Sequence, residues 1–174
     1  MSHRTGGWCS NVKVVVNCGK VINFVIRDSD LVDNTQNNHI IRADNYTFTC
    51  YRKNPEKIHV TGVKNFGSIR PMLEYLSERI NCPYFILSNG LCVNNSTWHF
   101  SLKNEIDLPS LCSKHKTSGI KKWKFNPGTF PAFILKTELG SAVIFNSGKI
   151  NILGCKSQRD FFKAKIKVLE FLYL

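Results

Sequence analysis

A nine-residue frame occurs twice in this chain. Lys57-Ile58-His59-Val60-Thr61-Gly62-Val63-Lys64-Asn65 returns 92 positions later as Lys149-Ile150-Asn151-Ile152-Leu153-Gly154-Cys155-Lys156-Ser157. The Lys, Ile, Gly and Lys are identical, and a β-branched residue fills the fourth place in both. The stretch after each copy matches too. Ile69, Met72, Leu76 and Ile80 fall at helical spacing, and the same offset lands on Phe161, Ala164, Val168 and Leu172. Each set predicts an amphipathic helix with one buried stripe. Pro71 stands near the start of the first helix, where a missing N–H costs little. A fixed internal repeat means that one supersecondary unit is used twice.

Both halves read as strand, irregular stretch, strands, tight turn, strand and helix. NVKVVVNC, from Asn11, opens the first, and YTFTCYR alternates as a half-buried strand does. NPEK and NSGK are turn sequences in equivalent places. The expected organisation is an extension over 1–10, repeat one over 11–87 and repeat two over 88–174, forming one structural domain. Polar or glycine-bearing links are expected at SNGLC (88–92) and KHKTSGIKKWK (114–124). Antiparallel strands with helices on one side make an α+β fold with pseudo-twofold symmetry.

Charge narrows the function. Lys and Arg number 24 against 12 Asp and Glu, a net charge of +12, which favours polyanionic partners. A basic amphipathic helix with an aromatic face, the signature of a membrane-surface binder, does not stand out, so nucleic acid is the better match. No apolar run approaches the roughly 18 residues of a spanning helix, and MSHRTGGWCSN lacks the apolar centre of a secretory signal. The seven cysteines include no C-x-x-C pair, so neither a disulfide framework nor a metal site is signalled and the thiols are expected reduced. No phosphate loop, metal-spaced cluster or nucleophile motif points to an enzyme. His59 and His115 read as lone histidines in strand and loop. No catalytic residue, metal, cofactor, small-molecule substrate or membrane partner is expected.

FNPGTFPAFI (125–134), VIFNSGKINILGCKS (143–157) and the helix after them resemble the second repeat of the TATA-box-binding protein family, as does the spacing of Leu108, Leu111 and His115. The resemblance is strong over the last 70 or so residues and weak over the first 50. It implies a saddle: a curved antiparallel sheet whose concave face meets the DNA minor groove, with helices on the convex face. It further implies a role in transcription initiation, with A·T-rich promoter duplex, transcription factors and RNA polymerase subunits as partners. The expected location is the nucleus, or a cytoplasmic viral factory, since divergence and an Asn/Lys/Ile/Phe-rich composition suit a virus or parasite.

The implied DNA-binding residues are Asn11, Lys57, His59, Thr61, Asn95, Phe130, Phe145, Ser147, Lys149, Asn151 and Leu153. Alternation along 145–153 puts Phe145, Ser147, Lys149, Asn151 and Leu153 on one face, with Ile150 and Ile152 toward the helices. Phe130 and Phe145 match the family's wedge phenylalanines, Lys149 and Lys57 suit phosphates, and Asn11 and Asn95 match its paired base-reading asparagines. Members usually carry one Phe pair per repeat. Repeat one here shows Lys53 where repeat two has Phe145, and NNHIIRADN (37–45) offers no Phe-Pro. NPGT (126–129) replaces an acidic loop that docks a general factor in the family. Kinking is therefore expected mainly from repeat two. The alternative function is a protein-interaction scaffold with little DNA affinity.

Overall fold

Strands that alternate apolar and polar residues must bury one face, and the apolar stripes of the two long helices offer the cover. In a computed structural model, which describes residues 7–116 and 122–173, contacts divide the chain into two units. One runs from Asn11 to Asn95; the other joins the described residues before Asn11 to Ser96 and beyond.

The elements of the first unit are β1 (Trp8–Asn17), whose residues before Asn11 belong to the other unit, β2 (Leu31–Asn34), β3 (Asn38–Ala43), β4 (Tyr46–Tyr51), β5 (Lys57–Val63), α1 (Ile69–Arg79) and α2 (Tyr84–Asn89). Its strands pair antiparallel in the order β2-β3-β4-β5-β1. Val12, Val14, Val16, Phe48, Ile58 and Val60 are fully buried, as are Met72 and Leu76 of α1. The repeated glycine has a mechanical reason here. Gly62 holds φ +91, and a Cβ would lie 2.1 Å from the Asn45 carbonyl oxygen. It sits where the β1–β5 register slips, so it is a bulge residue that only glycine fills without strain.

The second unit holds β6 (Leu91–Ser101), in which the division falls, then α3 (Leu108–Lys116), β7 (Trp123–Asn126), β8 (Phe130–Thr137), β9 (Gly140–Phe145), β10 (Lys149–Leu153) and α4 (Gln158–Tyr173). Its strand order, β6-β10-β9-β8-β7, mirrors that of the first. The core centres on Phe161, whose ring stacks on Trp98 at 4.4 Å. Trp98 Nε1 donates to Ser96 Oγ at 2.9 Å, and Ser96 Oγ donates to the Cys155 carbonyl at 2.6 Å. These two bonds satisfy polar groups that burial would otherwise leave costly.

Several expectations shift. The first strand begins at Trp8, inside the expected extension. The buried stripe of α4 ends on Phe171 rather than Leu172, because 3.6-residue periodicity brings Val168 and Phe171 onto one face. SNGLC belongs to the end of α2 and the start of β6, and Lys114–Lys116 close α3. The middle of KHKTSGIKKWK, 117–121, lies outside the described residues. His115 is helical and buried; its Nε2 meets the Phe171 carbonyl at 2.9 Å and its ring stacks on Phe171. None of the seven cysteines, all among the described residues, is in a disulfide; Cys18, Cys82 and Cys155 are buried and Cys92 is exposed.

Candidate nucleic-acid interface

Register defines an open face in each unit, opposite the buried one. In the first unit, Val15 pairs with His59, Thr49 with His59, and Thr47 with Thr61. These side chains are half-buried while their neighbours Val14, Val60 and Phe48 are fully buried. Lys13, Lys57 and Arg42 share the face by strand parity. His59 lies edge-on to Tyr51 at 4.9 Å, and its Nδ1 finds no hydrogen-bond partner among the described residues. Burial first, then Lys13 and Lys57, hold its pKa below the usual histidine value. The neutral ring is therefore favoured, and its buried Nδ1 is the unpaired atom. Lys57 stands 3.9 Å from Glu56, a contact weak enough to be exchanged for another anion. Asn11 is exposed on β1 and Asn95 half-buried on β6.

In the second unit, β10 presents Lys149, Asn151 and Leu153, while Ile150 and Ile152 are buried. Paired with them are Ser101, His99 and Thr97 of β6, and Val143 and Ser141 of β9. Phe145 ends β9 opposite Ala132, and its ring meets that of Phe130 at 6.4 Å in a T-shaped contact. Phe130 is 42% exposed. The turn expected at NSGK is present, but the alternation expected along 145–153 does not run through it. Asn146–Gly148 form a turn, so Ser147 is an exposed turn residue and Phe145 reaches the face from the neighbouring strand. Gly148, with φ +76, makes that turn.

Residues 91–173 match the model of the family described as transcription factor TFIID, or TATA-binding protein (TBP). The TATA-box-binding protein of Thermoplasma volcanium is 22% identical over 120 residues, covering 67% of this chain and 64% of the relative. That of Thermoplasma acidophilum is 23% identical over 126 residues, with the same shares. Among solved structures, Methanococcus jannaschii TBP superposes with a TM-score of 0.74 at 16% identity, over 95% of this chain and 97% of that one. Residues 91–173 thus match the TBP family, and the fold of the whole chain is that of a TBP. Its sequence is distant from these relatives, and the matched stretch spans about 64% of each curated relative's length.

The register corrects one departure from the family pattern. Ile58 pairs with Cys50 as Ile150 pairs with Ile144. One step further out stand Tyr51 and Phe145. Tyr51, not Lys53, is thus the structural counterpart of Phe145. Lys53 is exposed in the connection between β4 and β5, which is two residues longer than that between β9 and β10. An alignment anchored on Lys57 and Lys149 without gaps cannot register that insertion. Asn38 faces Tyr51 as Ala132 faces Phe145, so the place of Phe130 falls on Gln36, ahead of β3. The aromatic corner is a pair in repeat two and a single tyrosine in repeat one.

His99 and Trp8 stand outside the residues that the resemblance implies. Buried Ser96, Trp98 and Phe100 place Thr97, His99 and Ser101 on the open face, a period-two signal that was available in STWHFS. Trp8 carried no such signal. Its ring lies over His99 at 5.5 Å, a long-range contact that nothing near residue 8 encodes. Among the described residues no cluster of His, Cys, Asp or Glu is placed to hold a metal ion, and no helix is long and apolar enough to cross a membrane.

Proposed function

We propose that this chain is a TBP-like transcription initiation factor that binds A·T-rich promoter duplex through the minor groove, with its open strand faces as the contact surface. The observation that carries this reading is the corner formed by Phe130 and Phe145. Two aromatic rings stand in contact on an open sheet face, one of them 42% exposed, beside Lys149 and Asn151. Buried aromatics serve a core, whereas these suit wedging between base steps, the mode by which TBP itself kinks DNA. Lys57 and Lys149 contact phosphates, and Asn11 and Asn95 donate to base-edge acceptors. Kinking comes mainly from repeat two, with a smaller contribution from Tyr51. Transcription factors and RNA polymerase subunits are the partners, and the site of action is the nucleus or a cytoplasmic viral factory.

The test is DNA bending, followed by energy transfer across an A·T-rich duplex labelled at both ends. Phe130→Ala/Phe145→Ala should lose most of the bend and Tyr51→Ala a smaller part. Unchanged bending and affinity in the double variant would refute the wedge. A salt titration separates the scaffold alternative. Each neutralised phosphate adds about −0.9 to the slope of log K against log salt, so a flat line or no binding favours the scaffold.

A further inference from the structure

We propose that His99, seated by Trp8 and Ser10, holds the Asn151 carbonyl so that Asn151 presents its amide NH2, not its carbonyl, from the open face. Its consequence for base reading rests on the minor-groove function proposed above. His99 Nδ1 lies 2.7 Å from Asn151 Oδ1. A carbonyl oxygen only accepts, so Nδ1 carries the hydrogen. His99 Nε2 lies 2.5 Å from Ser10 Oγ. In the neutral ring Nε2 is then an acceptor, and the Ser10 hydroxyl donates to it. Trp8 stacks on the ring at 5.5 Å and 29°, holding its plane. His99 and Asn151 are direct partners across β6 and β10, so their side chains meet without displacement of either strand.

With its oxygen turned toward His99, Asn151 directs its N–H donors away from the ring. A·T pairs present only acceptors in the minor groove, whereas G·C adds the guanine N2 donor. An amide held in that orientation therefore accepts A·T and opposes the guanine N2 amine of G·C. A freely rotating asparagine would do neither, because it could turn its carbonyl toward the guanine amine. The other repeat lacks the device: there His59 faces Val15 across the equivalent strand pair. Ser10 and His99 are thus positioning residues for Asn151, and the discrimination they produce belongs to repeat two alone.

Two measurements decide this. Long-range nitrogen–proton NMR of the histidine rings at about pH 8 reads the tautomer without DNA. Wild type should show His99 with its hydrogen on Nδ1, Ser10→Ala should shift population to Nε2–H, and Ser10→Thr should restore it. Binding is then compared on duplexes with A·T, I·C or G·C pairs at the site; I·C keeps the acceptors and lacks the N2 amine. Wild type should bind A·T and I·C alike and reject G·C. Ser10→Ala and Asn151→Ala should each reduce that rejection about five- to tenfold, the scale of one base-pair contact, with Ser10→Thr close to wild type. Thermal melts show that each variant is folded. A wild-type His99 protonated on Nε2 overturns the proposal. So does a rejection ratio unchanged in both alanine variants while DNA binding persists. If wild type binds no duplex, the minor-groove function fails, and the NMR arm alone decides the orientation of Asn151.

Discussion

Arg79→Met removes the side chain on which the segment between β1 and β2 hangs. Arg79 is 1% exposed. Its Nε and Nη2 donate to the Val25 carbonyl at 2.9 and 2.7 Å, and Nη2 also pairs with the buried Asp30 carboxylate. The guanidinium lies 4.9 Å over the Phe24 ring, and the Val25 N–H donates back to the Arg79 carbonyl at 2.6 Å. Methionine fills similar space but leaves Asp30 buried without its cation and Val25 with an unpaired carbonyl. Breaking a buried ion pair on one side costs about 3–5 kcal/mol, a large share of the ~5–15 kcal/mol that holds a domain together. At about 2–4 °C per kcal/mol for a chain of this size, the melting temperature should fall by roughly 6–20 °C. Urea unfolding followed by circular dichroism measures it. Arg79→Met/Asp30→Leu should regain about half of the loss or more, because the uncompensated charge goes too. Acid adds a second readout. Burial raises the Asp30 pKa, but the Arg27 N–H and the Arg79 guanidinium outweigh it and hold the group below its ordinary value. Its contribution is therefore full above the ordinary carboxylate range and lost as pH falls through the folded value. In Arg79→Met the loss relative to wild type should shrink as pH falls, because protonation of Asp30 removes the uncompensated charge. A single-variant loss under about 1 kcal/mol, or a double variant no more stable than the single, would refute the clamp.

Ser96→Ala should cost about 2–3 kcal/mol in the same urea assay, since it strands the Trp98 N–H and the Cys155 carbonyl together; a neutral result would mean that water replaces the hydroxyl. Gly148→Ala should destabilise by more than about 1 kcal/mol, because φ is +76 and the new Cβ would lie 2.6 Å from the Asn104 carbonyl oxygen; Gly128→Ala, whose nearest neighbour is at 3.6 Å, should be close to neutral. With a thiol reagent at about pH 8, Cys92 should label in the native protein. Cys18 and Cys155, pushed up by burial to about 12 and about 11, should label only on unfolding; early labelling of Cys155 would show that the core of the second unit opens.

By itself the sequence determined whatever depends on local periodicity and on like matched with like. The 92-residue repeat, the stripes of α1 and α4, the turn at Asn146–Gly148 and the inward Ile150 and Ile152 were all legible there. Periods of 3.6 and 2 are written in neighbouring residues. The family motifs of repeat two were legible because those residues lie close together in the chain. Only the tertiary structure decided which residues stand at equivalent rungs. The loop after Tyr51 is longer than its counterpart, and strand pairing, not residue counting, makes Tyr51 the partner of Phe145. It likewise decided the company of His99. Ser10 and Trp8 are about 90 positions away in the chain, and Asn151 about 50. Such contacts come from the register between strands, which packing of the whole buried face sets. No local pattern carries that information.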